Sequence, residues 1–133
     1  MARISDVIFC LNASNTENGG VSANTILNVI TPEYIPGLFT FSVIILILDI
    51  DPGIEQRLLI EFISPNGEEV IRIEDVIPVL PHDSNLPCEY KGINIAMDWN
   101  NVNLKVSGQY LIKISVNGEL LKEKSIFVKG KNE

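Results

Sequence analysis

A chain of 133 residues, 46% of them apolar, fits one domain that buries roughly two thirds of its unfolded-chain surface. The net charge of −7 argues against nucleic acid, whose phosphates demand a basic footprint. The longest apolar stretch, Val43 to Leu48, falls far short of a membrane span, so neither nucleic acid nor a membrane is an expected partner.

The charge is uneven. Residues 33 to 98 hold twelve acids and three bases, whereas residues 99 to 133 hold six bases and three acids. The late lysines, from Lys105 to Lys131, read either as a local basic face or as edge-protecting and solubilising groups. The opening M-A-R-I-S-D-V-I-F has too short an apolar run for a signal peptide. A cytoplasmic protein is expected, with Cys10 and Cys88 as free thiols further apart than a disulfide can reach.

In chain order, residues 4–12 read as a first strand with apolar groups on both faces. Residues 13–20 (A-S-N-T-E-N-G-G) read as a polar connector. Residues 21–30 read as a second strand, with Val21, Ala23, Leu27 and Val29 in phase. Two prolines and a glycine make 31–38 a loop between sheets. From Phe39 to Ile50 runs the most hydrophobic segment, a central strand covered on both sides over its second half.

Asp49-Ile50-Asp51-Pro52-Gly53 is turn chemistry. Leu58, Ile60 and Phe62 alternate up to Ser64-Pro65-Asn66-Gly67, a type I-like turn, and Ile71 and Ile73 mark the return strand. Three prolines between Val76 and Tyr90 remove ladder donors and make a long crossover loop. Ile93, Ile95, Met97 and Trp99 then alternate cleanly, and 100–104 leads back towards Gly108.

The chain closes on a hairpin. Tyr110, Ile112, Ile114 and Val116 alternate up to Asn117-Gly118, which supplies positive φ at both centres of a type I′ turn. Regular pairing beyond that turn would put Glu123 inward and expose Ile126 and Val128. A β-bulge between Leu120 and Ser125 would correct the phase, leaving Leu121 inside, freeing Glu123 and turning Ile126 and Val128 inward; the alternatives are Glu123 at the sheet margin or a change of strand partner there.

About eight short strands with two long crossovers predict an all-β, antiparallel two-sheet sandwich of the immunoglobulin-like kind, with a closed barrel as the alternative. The chain also resembles a family of small bacterial and phage β-sandwich proteins, a domain of unknown function. The pieces that carry the likeness are Val7 to Asn12, Ser64 to Glu68 and the G-x-Y hairpin from Gly108 to Glu119. That resemblance implies a fold and no catalytic residues. The proline-rich 76–90 loop departs from it.

Chemistry is sparse. His82 is the one histidine, and with Ser84 or Cys88 it would be the seed of a hydrolase. Neighbours on one loop rarely converge, so a solvated histidine is the competing reading. Asp49, Asp51 and Asp98 sit at strand ends or turns where a calcium-binding sandwich gathers carboxylates, yet no loop has the density of a dedicated cation site. No phosphate loop, H-E-x-x-H or C-x-x-C is present, and no cofactor is expected. Trp99, in phase with Ile95 and Met97, reads as core, the alternative being a ligand-stacking platform with Tyr34 and Tyr90. Tyr34, His82, Asp83 and Tyr90, on loops, are the candidate contacts for a ligand or a partner protein. The expected function is non-enzymatic binding through loops, the alternative being sequestration of a small molecule in phage or bacterial defence. Sheet edges are the expected route for any homo-oligomer.

Overall fold

The computed structural model describes residues 2–16, 20–50, 55–77 and 92–132, and they form nine strands in two sheets. The strands are β1 (Arg3–Asn15), β2 (Val21–Ile26), β3 (Val29–Ile30), β4 (Gly37–Leu48), β5 (Gln56–Ile63), β6 (Glu69–Ile77), β7 (Gly92–Leu104), β8 (Gly108–Val116) and β9 (Glu119–Val128). One sheet runs β2-β1-β4-β7 and the other β3-β9-β8-β5-β6, so the sandwich is open and the barrel alternative falls. No helix among the described residues is long and apolar enough to cross a membrane.

The alternations read from the sequence face inward. Phe41, Val43, Ile45 and Ile47 of β4 meet Leu58, Ile60 and Phe62 of β5 and Tyr110, Ile112 and Ile114 of β8 in one core. An aromatic cluster sits at its centre. Phe41 meets Trp99 edge-on at 5.4 Å between centroids, and Phe62 stacks on Tyr110 at 5.3 Å. Tyr110 is fully buried, and its hydroxyl donates to the Val106 carbonyl at 2.8 Å. A tyrosine whose hydroxyl reaches a few residues back along the chain is a recurrent lock in immunoglobulin-like sandwiches.

Both turns form as their residues dictate. Asn117 and Gly118 take φ of 52° and 82°. The Asn117 side chain also accepts the Arg57 amide at 2.9 Å, which ties the turn to β5. Gly67 takes φ of 86° and its amide closes the Ser64 turn at 3.0 Å.

The closing hairpin carries the bulge. Ser115 pairs with Leu120 but Ile114 pairs with Lys122, so Leu121 is the extra residue. Beyond it Glu123 stands opposite Lys113, with which it pairs at 4.0 Å, while Ile126 and Val128 are buried and Phe127 is 57% exposed. The same shift turns Lys124 towards the sandwich margin. Its ammonium donates to the Val7 carbonyl and lies 3.7 Å from Asp6 Oδ1. An inward lysine at an edge opposes strand addition there. Lys105 and Lys131 pair with Glu68 and Glu33, so these lysines are matched by acids rather than massed into a basic face.

Three expectations needed correction. The strand expected over 21–30 is two: Thr25 takes φ of 60°, Leu27 N donates to Phe9 O, and the chain changes sheets before β3. β3 then runs parallel to β9, with Ile30 rather than Val29 buried. The connector expected from residue 13 begins later, because Ala13, Ser14 and Asn15 pair with Ala23, Ser22 and Val21. Residues 100–104 continue β7 past a bulge, where Asn101 takes φ of 54°.

β4 is central, and on its outward face Ser42 and Ile44 are buried. The cover comes from the β1–β2 hairpin. β2 lies three places from β7 in the sheet order, about 14 Å away were the sheet flat, yet the two strands touch. The hairpin therefore folds over the outward face of β4, and Cys10 is buried with it.

Candidate functional site

Of the loop candidates Tyr34, His82, Asp83 and Tyr90, only Tyr34 lies among the described residues. Tyr34, 66% exposed, lines a shallow hollow of about 310 Å³ with Pro32, Pro36, Leu38 and Lys131 at one end of the sandwich. His82, Asp83, Ser84, Cys88, Tyr90 and Asp51 lie outside the described residues. Asp98 is midway along β7, and Asp49 follows β4 seven residues beyond Ser42, the partner of Asp98. At the rise of a strand that is about 23 Å, too far for one cation. Among the described residues no three His, Cys, Asp or Glu side chains could hold a metal ion.

Asp98 instead belongs to a row across three strands. Cys10, Ser42 and Asp98 stand side by side on β1, β4 and β7. Ser42 Oγ donates to Asp98 Oδ1 at 2.6 Å, and Cys10 Sγ lies 3.8 Å from the Ser42 carbonyl. Burial pushes the Cys10 thiol up, so it stays protonated at neutral pH. Ser42 and Asp98 satisfy one another, and the row reads as a polar seam.

A wider opening lies between the sheets. At one flank β6 ends one sheet and β7 ends the other. Between them is a cleft of about 570 Å³. Ile73, Leu58 and Ile60 form one wall, and Ile93, Ile95, Met97 and Trp99 form the other. Ile93, Ile95 and Met97 share the inward face with the buried Val43, Ile45 and Ile47 of β4, yet are only half-buried. Asp75 shares the inward row of β6 with Ile71 and Ile73 and is nevertheless exposed. A carboxylate is tolerated on an inward row only where water reaches it, so the sheets gape here. Asn15, Asn94 and Asp98 stand at the rim.

Trp99 adds a polar handle. It is 5% exposed, its indole Nε1 is buried, and that N–H has no acceptor among the described residues. Nearly all buried donors in folded proteins are satisfied, so an orphan calls for a cause. The sequence placed Trp99 in the core, where it is. The alternation of β7 told which side chains turn inward. It could not tell that the opposite wall stops short of them.

A short early strand runs parallel to the last one, two hairpins share one sheet, and Tyr110 is tied to the Val106 carbonyl. Residues 5–129 match the family of unknown function DUF6941. The chain belongs to that family. Its fold is similar to that of an immunoglobulin-like protein from Pseudomonas aeruginosa, with a TM-score of 0.52 at 17% identity over 97% of each chain. No curated protein matches the chain. The DUF6941 chain therefore has an immunoglobulin-like sandwich, and at this identity the likeness speaks for the fold alone.

Proposed function

We propose that this DUF6941 protein is a binding module that takes its guest between the two sheets, in the cleft at the β6 and β7 flank. The observation that carries the reading is the half-covered inward row Ile93, Ile95 and Met97 facing Ile73 across about 570 Å³. That volume lies in the range of roughly 300–1,000 Å³ typical of ligand sites, and apolar walls with a few polar groups are their usual lining. The unpaired Trp99 N–H supports it, because a guest acceptor would satisfy a donor that the described residues leave alone. Asp75 on the wall and Asp98 at the rim disfavour an anionic guest.

Trp99 is the one tryptophan of the chain, so its emission reports on the cleft. Titration with the neutral fluorophore N-phenyl-1-naphthylamine should enhance the probe and quench Trp99 together. Met97→Lys should weaken both by tenfold or more while far-ultraviolet circular dichroism stays unchanged. Probe enhancement that leaves Trp99 emission and the Met97→Lys variant unaffected would place binding elsewhere, such as the Tyr34 hollow, and would end this reading.

A further inference from the structure

We infer that the guest is an extended polypeptide segment that adds as a strand to the edge of β7 away from β4, burying alternate apolar side chains in the cleft and presenting basic ones outward. This rests on the cleft reading and names its occupant. β7 pairs with β4 on one side and, among the described residues, with nothing on the other. In a ladder, alternate residues turn their N–H and C=O groups to opposite sides. Half of the backbone groups of β7 therefore point away from β4.

The edges differ in how they are guarded. Sheet proteins protect edges with lysines, prolines, bulges and inward charges. The open side of β9 carries the Leu121 bulge and the inward Lys124. β6 carries Arg72, held by Glu61, Glu69 and Glu74, and an inward Asp75. β2 is kinked at Thr25 and β3 has two residues. From Gly92 to Trp99, by contrast, β7 has no proline, no lysine or arginine and an unbroken register with β4, and its bulge comes only after Trp99. Eight residues of strand give about 26 Å of edge with which no other described strand pairs.

The side chains beside that edge specify the pattern of the guest. A strand seated along β7 would place every second side chain over Ile93, Ile95 and Met97, facing Ile73 across the cleft. Its other side chains would lie beside the outward row Asn94, Ala96 and Asp98. Cross-strand pairs of opposite charge are favourable and pairs of like charge are not. Asp98, exposed on that outward row, therefore favours lysine or arginine beside it. This is recognition by strand addition: main-chain hydrogen bonds supply affinity and alternating pockets supply specificity.

The test uses an acetylated, amidated nonapeptide of alternating valine and lysine. Three relatives serve as controls: the same composition with the valines in one block, and two peptides N-methylated at alternate residues, on one edge or on the other. Binding to the full chain is followed by calorimetry and by Trp99 emission. The alternating peptide should bind at least tenfold more tightly than the blocked one. N-methylation of one edge should cost tenfold or more, whereas methylation of the other edge should leave affinity within twofold. Asp98→Lys should weaken the alternating peptide several-fold. Equal tolerance of both methylated peptides, or equal affinity for the blocked sequence, overturns strand addition. If N-phenyl-1-naphthylamine enters the cleft but no peptide binds, strand addition fails and the cleft reading stands. If neither binds, both fail. Dimerisation through β7 in place of peptide binding also overturns the proposal.

Discussion

Trp99→Phe separates a functional donor from a structural one. The substitution keeps the aromatic contact with Phe41, 5.4 Å away, and with Phe62, 5.5 Å away. It deletes two ring carbons and the Nε1–H. Losing two buried carbons costs about 1.6 kcal/mol, at about 0.8 kcal/mol each. Removing a buried donor that has no acceptor returns about 1–3 kcal/mol. The two terms nearly cancel, so the net change in stability should lie between a loss of about 0.6 and a gain of about 1.4 kcal/mol. Phe62→Ala in the same cluster should cost about 3–5 kcal/mol, because it only opens a cavity. Urea unfolding followed by far-ultraviolet circular dichroism measures both. In the same Trp99→Phe protein, affinity for the cleft probe should fall. A loss above about 3 kcal/mol for Trp99→Phe would mean that the folded protein already satisfies the indole N–H.

Two further predictions concern the frame. Tyr110→Phe keeps the stack on Phe62 but removes the donor to the Val106 carbonyl, and should cost about 1–3 kcal/mol in urea unfolding; a change below about 0.3 kcal/mol would show that the lock is idle. Burial raises both the Cys10 thiol and the Tyr110 phenol. Their unfolded values are about 8.5 and about 10, so the unfolded chain releases these protons first. Their stabilisation is complete below about pH 8.5 and is lost as pH rises towards the folded values. The thermal midpoint should fall between pH 8 and 11, and less steeply in the Cys10→Ala/Tyr110→Phe double variant; equal slopes would contradict the assignment.

Much of the frame was legible in the sequence because local chemistry dictates it. Asn117-Gly118 and Pro65-Asn66-Gly67 each permit few backbone conformations, and the structure uses them. The Leu121 bulge was legible because Glu123 could not face the core while Ile126 and Val128 faced water. The sheet change near Thr25 was not legible. Alternation reports a pleated backbone but not which neighbour accepts its hydrogen bonds, so Val21 to Ile30 read as one strand. β1 ran longer than expected for a similar reason: Ala13, Ser14 and Asn15 have no strand preference, and the pairing with β2 holds them there. The cleft was half legible. The period of two named Ile93, Ile95 and Met97 as inward, but whether another wall covers them depends on how far two sheets gape.

Methyl and indole nuclear magnetic resonance of the labelled protein, titrated with N-phenyl-1-naphthylamine, tests the cleft most directly. Shift changes should concentrate on the methyl groups of Ile73, Ile93, Ile95 and Met97 and on the Trp99 indole N–H. Changes confined to residues around Tyr34 and Leu38, or a spectrum that saturating probe leaves unmoved, would contradict a guest site between the sheets.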